Sequence, residues 1–280
     1  MTDIYNPWSI INYLSKKKLG AYWANTSSNS LVGKLIREGS REVKQTMEEL
    51  LSGGTLVTEI DEQIVYSQLF SKRNAVWSLL LASGYLKVMG VEFAERTGRT
   101  HYTLGLTNKE VRIMFETMIR DWFAAQEDHY NDFIKALLLG DIDAMNTYME
   151  KVAMEMFSYF DTGRAPSGEE PERFYHGFVL GLMVELADRY VLTSNRESGF
   201  GRYDVMLEPL DPQQDDGIVL EFKVFQPKRE KSLEDTAAAA LEQIREKKYG
   251  TALIAKGIPG EKIRNYGFAF REKEVLIAGE

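Results

Sequence analysis

Two carboxylates and a lysine in the last third of the sequence have the types and the spacing of a hydrolytic site. Glu221 and Lys223 interrupt an otherwise apolar run from 218 to 225, and Asp204 follows a glycine-rich stretch. Side chains alternate along a strand, so Glu221 and Lys223 are expected on one face of it. The polar segment 208–217 predicts a hairpin connection, which lets Asp204 join that face from the neighbouring strand.

This grouping favours metal-assisted chemistry. Burying charged groups is costly unless they are paired or bound to a metal ion. The oxygens of Asp204 and Glu221 are ligands that Mg²⁺ and Mn²⁺ prefer, and Lys223 could hold or activate the water that attacks a phosphoryl group. The alternative is an ordinary edge hairpin with a salt bridge between Glu221 and Lys223, because a bare D…E-x-K pattern is common by chance.

The sequence motifs around these residues resemble those of the PD-(D/E)XK nuclease superfamily, and the resemblance covers nearly all of residues 172–280. More narrowly, they are similar to one bacterial family in which the nuclease domain follows an AAA-ATPase-like region. The motifs occur in the expected order and are Phe174-Tyr-His-Gly-Phe178, residues 194–204, Leu220-Glu-Phe-Lys223, Gln243 with Tyr249, and Tyr266-Gly-Phe-Ala-Phe270.

The resemblance implies roles for the three central residues. Asp204 and Glu221 would be metal ligands for Mg²⁺ or Mn²⁺, and Lys223 would be the catalytic lysine. It also implies a restriction-endonuclease-like core, in which a central mixed sheet is flanked by helices. The predicted reaction is the hydrolysis of a DNA phosphodiester bond.

Further residues are implied by the same resemblance. Gln243 and Tyr249 resemble a glutamine-tyrosine motif that some relatives carry on the helix after the E-x-K strand, although the spacing here is longer. Many members also have an acidic residue on the first core helix. His176 stands near that place, and Glu185 further along is the alternative, which puts a full two-metal site in doubt.

Polar residues beside Asp204 are candidates for substrate contact. Arg202 stands two positions earlier and is expected on the same face, where it could contact phosphate or neutralise the carboxylates. Arg196 and Glu197 could contact substrate too, or could pair with each other across a tight turn. His176 could act as a general acid or an orienting group, with a structural helix histidine as the alternative.

Composition excludes several other classes of protein. The sequence has 280 residues, no cysteine and three scattered histidines, which excludes disulfides, thiol catalysis and Cys-type zinc sites. It has no apolar run long enough for a membrane span and no basic-then-apolar leader, so a cytoplasmic protein without membrane contact is expected.

The negative charge is concentrated in one part of the chain. The net charge is −8, and residues 127–172 hold eleven Asp and Glu against three Lys and Arg. The remainder is balanced, so the acidity does not exclude phosphate contacts elsewhere. The chain also lacks a basic stripe, which predicts modest sequence-independent affinity for DNA.

The N-terminal half predicts helices and a small sheet. A helix is expected over about 30–52, a strand over 56–60, and short helices over 62–70 and 72–83. Two strands that begin near Gly84 and His101, followed by a helix capped by Asn108, then complete a winged-helix-like order. Such modules either read DNA or mediate protein contacts.

This half also resembles the end of the AAA-ATPase-like region of the same family, in the words Tyr5–Ser9, Tyr22–Asn29 and Tyr102–Val111. The sequence contains no G-x4-G-K-[ST] motif, so no ATP binding and no nucleotide cofactor are expected. The chain is therefore expected to be a short gene product or a fragment of a longer protein.

The whole sequence predicts an α/β (α+β) protein in three segments. Residues 1–119 form the helical, winged-helix-like module, 120–165 form connecting acidic helices, and 166–280 form the nuclease-like domain. In the last segment the predicted order is a helix, three strands, a helix over 233–248, a strand over 251–256, a short helix and two strands.

The function predicted from the sequence is a Mg²⁺- or Mn²⁺-dependent endodeoxyribonuclease. The alternative is a catalytically weak or inactive nuclease-fold module that binds a protein partner or DNA, in a defence or mobile-element system. Expected partners are DNA, a second copy of the chain and a protein bound by the N-terminal module.

Overall fold

The computed structural model describes residues 7–18, 20, 22, 30–61, 74–123, 127–160, 170–195 and 203–280. The chain forms two compact units that divide between Trp122 and Phe123. The division lies close to residue 119, and it places the helices expected over 120–165 in the same unit as the C-terminal sheet. Among the described helices, none is both long enough and apolar enough to cross a membrane.

The N-terminal unit combines helices with a three-stranded sheet. Its elements are α1 Pro7–Lys16, α2 Ser30–Arg37, α3 Arg41–Leu51, β1 Leu56–Thr58, α4 Ala75–Ala82, β2 Leu86–Ala94, β3 Arg99–Leu106 and α5 Lys109–Asp121. The strands lie in the order β1-β3-β2, and β3 runs antiparallel to both neighbours. The expected β2–β3 ribbon is present, the helix expected over 62–70 lies outside the described residues, and the winged-helix assignment stays a prediction.

The prediction of one helix over about 30–52 is wrong, because the chain forms α2 and α3 instead. Gly39 and Ser40 lie between them, and Ser40 is the N-cap of α3. Lys44 is fully buried, and its ammonium donates hydrogen bonds of 2.7 Å to the carbonyl oxygens of Arg37 and Gly39. These bonds satisfy carbonyl groups that the end of α2 would otherwise leave without a partner.

The C-terminal unit contains a mixed five-stranded sheet flanked by helices, as expected. Its elements are α6 Glu127–Leu139, α7 Ile142–Phe160, α8 Glu170–Glu185, β4 Tyr190–Asn195, β5 Tyr203–Pro209, β6 Gly217–Val224, α9 Leu233–Lys247, α10 Gly250–Ala255, a 3₁₀ turn Gly260–Lys262, β7 Ile263–Arg271 and β8 Glu274–Gly279. The strand order is β4-β5-β6-β7-β8. Strands β6 and β7 are parallel and are joined through α9, while the other neighbouring pairs are antiparallel.

The strand predicted over 251–256 is wrong, because this segment forms α10. Strand β6 already pairs with β5 on one side and β7 on the other, so it offers no edge to a further strand. Leu253 is fully buried and packs in a cluster with Val219 and Ile258. A single buried residue among exposed neighbours suits a short surface helix better than a buried strand.

One face of the sheet is an aromatic core against α8. Phe222 of β6 and Phe268 of β7 lie with ring centroids 4.8 Å apart. Phe178 of α8 meets Phe222 edge-on at 6.4 Å, and Tyr175 stacks on the same ring at 5.9 Å. Rings that interlock in this way bury large apolar areas, which anchors α8 to this face.

The opposite face of the sheet is covered by α9. Val219 of β6 packs in one buried cluster with Leu241 and Ile244 of α9. Because residues alternate along a strand, Glu221 and Lys223 share the face of Val219. The two charged residues of β6 therefore lie under α9 and not in the aromatic core.

The β8 edge of the sheet is contacted by a side chain of α7. Asn146 donates a 2.8 Å hydrogen bond to the carbonyl oxygen of Ile277 in β8, and it accepts one of 2.8 Å from the N–H of the same residue. An unpaired strand edge invites pairing with another chain. Here the amide of Asn146 forms hydrogen bonds with the outward-facing N–H and C=O groups of Ile277, near the centre of β8.

Candidate active site

Glu221 is a fully buried carboxylate in the centre of the sheet. It lies within β6, its side chain is 0 % exposed, and neither of its carboxylate oxygens has a partner in the described part of the chain. Buried polar groups in proteins are otherwise almost always satisfied, so an orphaned carboxylate needs an explanation. Two free carboxylate oxygens are the donors that a hard divalent cation takes, so Glu221 fits such an ion.

Asp204 has its backbone directly across from Glu221 in the antiparallel pairing of β5 and β6. Directly opposite positions of an antiparallel pair belong to the same face of the sheet. The side chain of Asp204 lies outside the described residues, and so do Arg196, Glu197 and Arg202. Among the side chains that are described, no group of three or more His, Cys, Asp or Glu comes together.

Lys223 is anchored to the helix that covers this face. Its ammonium donates a 2.9 Å hydrogen bond to the carbonyl oxygen of Ala239 in α9. The side chain is partly buried. Because it bonds to α9, its position depends on where that helix lies. Sequence patterns predicted the face that Lys223 occupies but not this contact with Ala239.

Small residues bring α9 close to the strand beside Glu221. Gly267 of β7 pairs with Glu221 in the parallel register. A Cβ atom at Gly267 would lie 2.6 Å from the carbonyl oxygen of Ala237 and 2.9 Å from the Cβ of Ala240. The helix backbone therefore rests directly on the sheet at the level of Glu221, and Gly267 is a positioning candidate that the sequence motifs did not single out.

Gln243 and Tyr249 take different places. Gln243 is buried on α9, one helical turn after Ala239, so the two residues share a side of the helix. Tyr249 follows the end of α9 and packs against the cluster that contains Val219. The structure thus brings Gln243 to the helix side that holds Lys223, and it places Tyr249 at the level of Val219.

His176 lies near the middle of α8, and Glu185 is its last residue. His176 is buried beside Tyr175, which stacks on Phe222, so it lies at the level of the site but on the helix that covers the other face. Glu185 is exposed and nine residues further on, about 14 Å along the helix. Burial raises the pKa of Tyr130 well above its usual value, and the charge of Glu185 raises it further.

Comparison with known proteins gives a match for this part of the chain. Residues 170–280 match the family model described as the PD-(D/E)XK nuclease superfamily, and the match contains the β5, β6 and α9 positions described above. The match does not bear on the predicted association with an AAA-ATPase-like region. No curated protein and no solved structure was found to match the chain.

Proposed function

Because residues 170–280 match the family model of the PD-(D/E)XK nuclease superfamily, we propose that this chain is a nuclease that hydrolyses DNA phosphodiester bonds with a divalent cation, Mg²⁺ or Mn²⁺. The observation that carries the proposal is Glu221, a fully buried carboxylate whose two oxygens accept no hydrogen bond from the described residues. Leaving a charge in this state costs stability, and the cost is explained if the carboxylate binds a cation.

Glu221 and Asp204 would hold the cation, from neighbouring positions on paired strands. When bound, a divalent cation polarises a phosphoryl oxygen and lowers the pKa of a water ligand. The two carboxylates fix the place of that chemistry on the α9 face. The burial of Glu221 keeps bulk water away from one side of the site.

Lys223 would orient the attacking water and stabilise negative charge on the phosphoryl oxygens. Its ammonium lies on the face of Glu221, and the carbonyl of Ala239 holds it. A positive group fixed in advance stabilises developing charge more effectively than a mobile one. Lys223 therefore depends on α9 for its catalytic geometry.

Supporting roles go to the residues around this centre. Gln243 would support the helix side that holds Lys223, with Tyr249 fixing the end of the same helix. His176 would orient groups from the α8 side. Arg202, Arg196 and Glu197 remain the proposed substrate contacts next to Asp204.

Cleavage assays test the proposal. Labelled duplex DNA, single-stranded DNA and RNA are incubated with wild type and Glu221→Gln, in Mg²⁺, in Mn²⁺ and in EDTA. We expect metal-dependent cleavage of DNA by wild type and a loss of about 10³-fold in Glu221→Gln, since metal-borne charge stabilisation contributes several kcal/mol. Glu242→Gln, on the exposed side of α9, is the matched control and should cleave as wild type does.

Two results would refute the assignment. The first is equal cleavage by wild type and Glu221→Gln. The second is the absence of metal-dependent cleavage on every substrate, together with retained DNA or protein binding, which is the behaviour expected of a non-catalytic nuclease-fold module.

A further inference from the structure

The turn that leaves the E-x-K strand carries three exposed cations. Residues 225–232 connect β6 to α9, and Lys228, Arg229 and Lys231 are exposed on this turn. The turn begins two residues after Lys223. A cationic surface at this place adjoins the proposed reaction centre, and the nuclease assignment does not account for it.

Two carboxylates, Glu230 in this turn and Asp235 in the first turn of α9, accept hydrogen bonds that hold the turn. Glu230 accepts a 2.7 Å hydrogen bond from the N–H of Gln226 and a 2.8 Å one from the hydroxyl of the buried Thr236. Asp235 accepts hydrogen bonds from the N–H groups of Lys231 and Ser232, at 2.9 and 3.2 Å, in a capping box at the start of α9. These bonds fix the conformation of the turn.

The side chains of the three cations differ from these carboxylates. Within the described part of the chain, the side chains of Lys228, Arg229 and Lys231 make no hydrogen bond and no ion pair. Lys231 lines an open groove of about 430 Å³ together with acidic residues (Glu150, Glu234 and Glu274) and two further cations (Arg271 and Lys273). Lys228 and Arg229 are not among the residues that line this groove.

We propose that Lys228 and Arg229 bind backbone phosphates of the DNA strand that runs through the nuclease site, an inference that rests on the proposed function. Lys228 follows Lys223 by five positions, so their Cα atoms are at most about 18 Å apart. One DNA strand carries a phosphate about every 3.4 Å along the helix axis, which puts the contacts within about five base pairs of the cut. A rigid turn presents both cations without ordering a loop on binding.

Binding measurements without metal test the inference separately from catalysis. Fluorescence anisotropy of a labelled DNA duplex is followed in EDTA at several salt concentrations. The test variant is Lys228→Gln/Arg229→Gln. The control is Lys247→Gln/Lys248→Gln, an exposed pair with the same charge loss at the other end of α9, about 22 Å along the helix axis.

We expect the test variant to bind duplex about tenfold more weakly than the control at physiological salt. Its plot of log K against log salt should be shallower by about 1.8, since each phosphate contact contributes about 0.9 to the slope. Equal affinity and equal slope in the two variants would overturn the inference, and so would the absence of duplex binding by wild type at low salt.

The two proposals fail in different ways. If wild type cleaves DNA but the two variants have the same salt slope, the phosphate contacts are wrong and the nuclease assignment stands. If the test variant loses salt-dependent binding while wild type never cleaves, the contacts are right and the nuclease assignment is wrong. As a folding control, the thermal unfolding midpoints of both variants are compared with that of wild type. Equal midpoints show that a difference in binding does not come from a difference in folding.

Discussion

The two faces of strand β6 bury side chains of opposite chemical character, an aromatic ring and a carboxylate. On the α8 face, Phe222 is enclosed by aromatic rings from α8 and β7. On the α9 face, the preceding residue, Glu221, is just as deeply buried, yet its carboxylate accepts no hydrogen bond from the described residues. Adjacent residues of one strand therefore build the core and the candidate site.

The comparison shows that burial alone does not identify a structural residue. Phe222 gains from the exclusion of water, because its ring exchanges water for other rings. Glu221 loses by the same exclusion unless another charge enters the site. A buried residue that the protein's own groups do not stabilise, such as Glu221, is the one to associate with function.

The largest effect should follow truncation on the aromatic face. Phe222→Ala should lower the free energy of unfolding by about 3–5 kcal/mol, because it removes a fully buried ring and leaves a cavity. Urea denaturation measures this loss. Leu210→Ala, at a residue 57 % exposed in the same unit, should change it by less than about 0.5 kcal/mol; similar losses in both variants would contradict the distinction between the faces.

Crowding under α9 should have the next largest effect. Gly267→Ala should cost about 1–3 kcal/mol, because the new Cβ would meet the carbonyl of Ala237 and displace α9. Since α9 holds Lys223, kcat should fall more than KM changes. Gly260→Ala, where a Cβ meets no atom within 4 Å, is the control; a Gly267→Ala enzyme as stable and as fast as this control would contradict the close approach.

Neutralising the charge on the α9 face should have a smaller effect, of opposite sign. In EDTA, Glu221→Gln should raise the free energy of unfolding by about 1 kcal/mol, because it removes a buried charge to which no described residue donates a hydrogen bond. Glu242→Gln should leave it unchanged. Chemical denaturation of the three proteins provides the measurement, and a destabilised Glu221→Gln would mean that the carboxylate is satisfied within the protein.

The smallest effect should come from Tyr190, a buried tyrosine of β4. Burial, followed by the charge of Asp215, raises the pKa of Tyr190 to about 12. In the unfolded chain a tyrosine titrates near 10. The stabilising contribution is thus fully present below about pH 10 and is lost as the pH rises toward 12.

Stability measured at pH 8 and pH 11 tests the role of Tyr190. Tyr190→Phe should lose less stability than wild type over this interval, because the unfolded variant has one phenol fewer to ionise. The same interval in Tyr13→Phe, a variant of an exposed tyrosine, should match wild type. An equal loss in Tyr190→Phe and wild type would show that Tyr190 titrates normally in the folded protein.

The alternation of residues along 218–225 was enough to predict the strand, its two faces and the common face of Glu221 and Lys223. The hairpin and the order of the core elements also followed from local patterns. The strand predicted over 251–256 failed because a short apolar run does not reveal whether a sheet edge is available to it. Here both edges of β6 were already occupied.

The contacts that complete the candidate site could not be predicted from local patterns. The run Ala237–Ala240 consists of small residues, but the sequence does not show that the helix meets Gly267 or that Ala239 accepts a hydrogen bond from Lys223. Both contacts depend on how the crossover helix lies across β6 and β7. That placement is a property of the whole unit, set by the clusters on both sides of α9.

Metal binding by Glu221 is the central claim, and calorimetry tests it most directly. Mn²⁺ and Mg²⁺ are titrated into metal-free wild type and Glu221→Gln, first alone and then with a DNA duplex present. The account predicts a saturable binding heat in wild type that is lost in Glu221→Gln and kept in Glu242→Gln. Equal metal binding by wild type and Glu221→Gln, or no binding by wild type even with DNA, would contradict it.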